Sequence, residues 1–184
     1  MVGGPTGAGR GARGAREVAG RPAAPYAVRV QSPEADAIEA ARCAAIDLHK
    51  ALLDALQVEY ERAHGRIASA GDRFRLVSEH GAFAWLRPLA GLIVAFDELL
   101  EMPTVGAEDA AAARVELEEL FDRDAAGFRP RYLALLQTEP AVVMAHARLR
   151  QALTALPASR AEDLARLRTV RAGWKSPRRT RRKG

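Results

Sequence analysis

Residues 32 to 65 read SPEADAIEAARCAAIDLHKALLDALQVEYERAHG, and this stretch decides the fold. Ser32 supplies an N-cap hydroxyl, and Pro33 suits a first helical position, where its missing N–H costs nothing. Glu34 and Asp36 place negative charge at the positive end of the helix dipole. Ile38, Ala41, Ala45, Leu48, Leu52, Leu56 and Tyr60 recur in steps of three and four, which aligns them in one apolar stripe. Gly65 ends the pattern. The segment therefore predicts a helix of about 32 residues and about 48 Å, the spine of a bundle.

The rest of the chain repeats the helical period with proline and glycine punctuation. After a GRIASAG loop (65–71), Asp72 is expected to cap a short helix that reaches Glu79, with His80-Gly81 as its break. Pro88 interrupts the apolar run 82–101 and marks a kink or a fresh helix start. Leu92, Ile93, Phe96, Leu99 and Leu100 then form a stripe closed by Pro103. A third helix is expected over 107–123, with Ala110, Ala113, Leu117, Leu120 and Phe121 inward and Glu116, Glu118, Glu119 and Asp122 outward. A fourth region splits at Pro140, carries Val142, Ala145, Leu149, Leu153 and Leu156 on one side, and closes at Pro157. Ser159 and Glu162 have the S-x-x-E spacing of a capping box for a terminal helix bearing Leu164 and Leu167 among Arg160, Arg166, Arg168 and Arg171. That helix is thinly apolar, and weak docking is expected of it. Few aromatics and abundant Ala and Leu favour helix packing over sheets. The fold class is all-α: a single bundle of four main helices over residues 32–156, kinked at prolines, followed by a short basic helix and tail over 157–184. Residues 1–31, rich in Gly, Ala, Arg and Pro, are expected to be disordered.

Charge is distributed unevenly. Residues 1–31 hold five Arg and one Glu, and residues 157–184 hold ten Lys or Arg against Glu162 and Asp163. The intervening segment has 13 basic and 20 acidic residues, so the overall +5 is a sum of opposites. An acidic body with basic ends assigns any contact with nucleic acid or another polyanion to the tails. No apolar run approaches the roughly 18 residues of a membrane span, and the start lacks the apolar region of a secretory signal. Cys43 is the single cysteine, which excludes an intramolecular disulfide and Cys-rich zinc sites; it is expected to be a small buried hydrophobe. A cytoplasmic location follows as the expectation.

The strings LHKALLD (48–54), FAWLRPLAGLIVAFDE (83–98) and RYLALLQTEPAVVMAHARL (131–149) resemble segments of small, uncharacterised bacterial all-helical proteins. The resemblance spans roughly residues 45–155. It implies an all-helical fold and a bacterial source, and it attaches no activity.

Few residues point to chemistry. Glu61-x-x-His64 has the spacing of a carboxylate-bridged di-iron motif, but Val77 and Val143 stand where a second Glu would precede His80 or His146. His49 and His146 lie beside apolar stripes on separate helices, and together they form the alternative reading: a haem-, metal- or small-ligand-binding bundle, with Met144 and Trp85 lining the pocket. Trp85 and Arg87 beside Pro88 are a candidate partner patch, since Trp and Arg are enriched at binding hot spots. The acidic run Glu116, Glu118, Glu119, Asp122 and Asp124 reads as an outward helical face. No Walker loop, nucleotide-binding glycine fingerprint, GxSxG, HExxH or EF-hand pattern occurs, so the motifs imply no cofactor and no catalytic residue. The leading expectation is a non-enzymatic interaction or regulatory module, with homo-oligomerisation open. Its polyanion contacts are assigned to Arg166, Arg168, Arg171, Trp174, Lys175, Arg178, Arg179, Arg181, Arg182 and Lys183, with Trp174 stacking on a single-stranded base.

Overall fold

Ser32 Oγ accepts a hydrogen bond from the Ala35 N–H at 3.1 Å and starts helix α1, Pro33–His64, with Pro33 at its first position. The same hydroxyl donates to the Val105 carbonyl at 3.3 Å, which ties the start of the spine to a loop more than seventy residues away. Gly65 ends the helix at φ +88°, a conformation that side-chain-bearing residues rarely adopt, and its N–H reaches the Glu61 carbonyl. The buried positions Ile38, Ala41, Ala45, Leu48, Leu52 and Leu56 are those of the apolar stripe, so α1 forms as its period requires.

The computed structural model describes residues 32–122 and 127–174, which hold seven α-helices, two 3₁₀ segments and no strand. After α1 come α2 (Ala70–Glu79), a 3₁₀ segment (Gly81–Leu86), α3 (Arg87–Leu100) and α4 (Ala107–Asp122). Next follow α5 (Phe128–Thr138), α6 (Pro140–Leu153), a 3₁₀ turn (Ala161–Asp163) and α7 (Leu164–Ala172). Helix α1 packs against α6, α3 and α4, while α7 lies on α4. Fully buried Leu48, Leu52, Leu89, Leu99, Leu117 and Leu149 knit these helices into one core, each side chain contributing about 1.5–3 kcal/mol on burial. Among the described residues no helix is long and apolar enough to cross a membrane.

The architecture has more pieces than four main helices because Pro88 and Pro140 each sit in the first turn of a new helix, where an absent N–H is harmless, instead of kinking an old one. Other local expectations are corrected. Ser69, not Asp72, caps α2: its Oγ accepts from the Asp72 N–H at 3.1 Å and donates to Asp72 Oδ2 at 2.7 Å. Ser159 caps nothing, because the chain turns through Ala161–Asp163 first and Glu162 pairs with Arg160 at 3.5 Å. Cys43 is exposed, since it falls outside the stripe of Ala41, Ala44 and Ala45. Desolvation and the neighbouring Glu39 carboxylate push its thiol pKa up, which favours the protonated form. The expected disorder of residues 1–31 lies outside the described residues, as do Asp124 and residues 175–184.

Candidate functional site

Helix α7 does not dock weakly. Leu167 is buried, and Trp174, two residues past the helix, is 1% exposed and part of the common core. The packed body therefore continues to Trp174, beyond Leu156. The α7 arginines meet the acidic side of α4 in register: Arg166 with Glu108, Arg171 Nε with Glu116 Oε2 at 3.4 Å, and Arg168 Nη2 with Glu119 Oε1 at 2.7 Å. Two of these pairs are substantially solvated, which limits each to at most about 1 kcal/mol.

Trp174 anchors the end of this seam. Its indole Nε1–H donates to Asp109 Oδ1 at 2.9 Å, while Asp109 Oδ2 accepts from the Gly106 N–H at 3.0 Å at the start of α4. The Arg171 guanidinium carbon lies 4.9 Å from the Trp174 ring centroid, and the Phe96 ring lies 6.1 Å away. These contacts give four residues of the polyanion assignment a place within the fold. Trp174 is buried and unavailable to stack on a base; Arg166, Arg168 and Arg171 are already paired with carboxylates of their own chain. Part of the acidic face of α4 is likewise covered by α7. The remaining assigned cations, Lys175, Arg178, Arg179, Arg181, Arg182 and Lys183, lie outside the described residues.

His146 and Trp85 stand at the two ends of a chain of aromatic contacts. Trp85 touches Phe128 at 5.5 Å between centroids, Phe128 stacks on Tyr132 at 5.5 Å, and Tyr132 lies 5.9 Å from His146. Burial drives the Tyr132 hydroxyl pKa far above its usual value, so the phenol keeps its proton, and its oxygen shares a short hydrogen bond with His146 Nδ1. Desolvation, reinforced by Arg150, lowers the His146 pKa and favours the neutral ring. The contact with Tyr132 engages His146 Nδ1 within the aromatic cluster. His49 is half-buried on α1, its pKa also lowered by desolvation, and joins none of these aromatic contacts. No group of three or more His, Cys, Asp or Glu among the described residues is placed to hold a metal ion.

Trp85 is 4% exposed and serves the core, so the partner patch reduces to the exposed Arg87. The Glu61-x-x-His64 pair is structural: Glu61 Oε1 accepts from Gln57 Nε2 and from the Ile67 N–H, closing the loop after α1. His64 instead stacks on Tyr60 at 4.3 Å, and His80 meets the same ring edge-on at 5.4 Å. These three rings line a cleft of about 470 Å³ between the end of α1, the 3₁₀ segment and α5, bordered also by Trp85 and Arg131. Sequence reading singled out His64, His80 and Trp85 separately but had no signal joining them to Tyr60 and Arg131, because the cleft is assembled from three elements distant in the chain. No family model, curated protein or solved structure matches this chain.

Proposed function

We propose that the protein is a non-enzymatic helical interaction or regulatory module that presents residues 175–184 to nucleic acid or another polyanion in the cytoplasm. The observation that carries this reading is the seam between α7 and α4. It pairs Arg166, Arg168 and Arg171 with carboxylates of α4, so the reading rests on the basic run of the terminal sequence, Lys175, Arg178, Arg179, Arg181, Arg182 and Lys183. Residues 32–174 contain 17 basic and 22 acidic side chains, whereas residues 175–184 contain six basic and no acidic ones. A net-negative body repels a polyanion and the terminal segment attracts it, so the contact is electrostatic and indifferent to sequence.

The test is binding of random-sequence duplex DNA and RNA across a salt series, comparing the full chain with a chain ending at Trp174. The full chain should bind with a dissociation constant on the order of 10⁻⁴ to 10⁻⁶ M, and its affinity should fall with a log-log salt slope of up to about five for duplex DNA. The shortened chain should lose that binding while keeping its unfolding midpoint. Equal binding by the two chains would overturn the proposal.

A further inference from the structure

Helix α6 is apolar on two sides and buries only one of them. Val142, Ala145, Leu149 and Leu153 are buried, on the side where α6 meets α1. On the opposite side Pro140, Val143, Met144 and Ala147 are all exposed, Val143 at 43% and Met144 at 58%. These four are three or four residues apart, so their side chains adjoin on the helix surface. A single exposed apolar side chain is ordinary, whereas a contiguous strip marks a surface that meets something.

The charges at the two ends of the strip say what it meets. Glu139, Val143, Ala147 and Arg150 follow one another at steps of four, four and three, so they form one line along the helix. Glu139 and Arg150 are three turns apart, roughly 16 Å, too far to pair with each other. Neither has an ion-pair partner among the described residues, whereas the neighbouring Arg148 is held by Asp47 at 3.8 Å. The order along the line is acid, apolar, apolar, base. Two copies laid antiparallel about a twofold axis set Glu139 of each against Arg150 of the other, and Val143 of each against Ala147 of the other. A parallel pair sets acid against acid and base against base, and is repelled. The line is therefore complementary to itself in one direction only. Ala147 has no side chain beyond Cβ, which lets the helix axes approach to about 8–10 Å, and the flexible Met144 fills the space beside it. We propose that this face of α6 is a homodimer contact: two copies of the chain pair antiparallel through Pro140, Val143, Met144 and Ala147, with Glu139 and Arg150 fixing the direction. The inference goes beyond the polyanion reading and does not depend on it.

Sedimentation equilibrium of the full chain over about 5 to 500 µM at low salt tests the contact. It should show a reversible dimer with a dissociation constant on the order of 10 to 100 µM, as suits an interface of one helix from each copy. Met144→Glu, at a side chain already in water, should weaken the dimer by about tenfold or more without moving the unfolding midpoint. Glu139→Arg and Arg150→Glu each set like charges opposite one another twice per dimer, and each should weaken it by about fivefold. Both changes in one chain exchange the charges and should restore association to within about twofold of the unmodified protein. That rescue separates a contact between copies from damage to the helix, because each reversed charge opposes the α6 dipole and those costs add in the double variant. A chain that stays monomeric throughout the range, as it would if residues 1–31 or a different protein covered α6, would overturn the assignment. So would a dimer indifferent to Met144→Glu, or a double exchange that associates no better than either single change.

Discussion

Helices α2 and α7 are alike on paper and opposite in place. Each is short, each carries three sizeable apolar residues (Phe74, Leu76 and Val77 in one, Leu164, Leu167 and Val170 in the other), and each is dotted with arginine. Yet α2 buries none of its residues and leaves Phe74 73% exposed, while α7 buries Leu167 and ends on a Trp174 that is 1% exposed. What separates them is the surface opposite. Helix α4 offers Glu108, Glu116 and Glu119 at spacings that meet Arg166, Arg171 and Arg168, together with a pocket beside Phe96 for the indole. Helix α2 is joined to α1 by the ion pair of Arg73 with Asp54 at 2.9 Å, and it packs mainly on the 3₁₀ segment that follows it. Apolar count alone does not dock a helix; a complementary face does.

The sharpest way to break this contrast is Trp174→Ala. Removing a fully buried indole and its bond to Asp109 should cost about 3–5 kcal/mol, read as a lower urea midpoint, and α7 amides should lose hydrogen-exchange protection. A loss below about 1 kcal/mol would mean that α7 is held by something other than its anchor. Replacing Arg166, Arg168 and Arg171 together with Gln should have a smaller effect, about 1–2 kcal/mol at low ionic strength. The gap from the unmodified protein should narrow in about 0.5 M salt, where exposed pairs are screened. A gap insensitive to salt would show that the seam depends on side-chain packing and not on charge. The least change is expected from Phe74→Ser, within about 0.5 kcal/mol, because the ring is already solvated. A larger loss would place Phe74 in a contact and erase the difference between the two helices.

The same contrast explains what could be read from the chain directly. The spine was legible to the residue, from Ser32 to Gly65, because its cap, its first-position proline and its stripe all agree. Pro88 and Pro140 were legible as discontinuities, but whether each kinks a helix or begins one depends on the packing on either side. Where the tail joins the body the packing was not legible: Arg166, Arg168 and Arg171 share the composition of the cations beyond them, and composition carries no information about the carboxylates of α4 some 50 to 65 positions earlier, with which they and Trp174 make contact. The cleft beside Trp85 was legible only as scattered aromatic and histidine residues.

By itself, then, the sequence determined the helical period, the caps and breaks of its best-patterned segments, and the sign of charge along the chain, since each depends on residues within a turn or two of one another. Tertiary structure alone decided which charges are spent inside the fold, how far the packed body extends, that His146 faces Tyr132, and that Trp85 and Arg131 border one cleft. Those outcomes depend on which helix faces lie opposite each other in space, and the spacing of residues along the chain carries no record of that pairing.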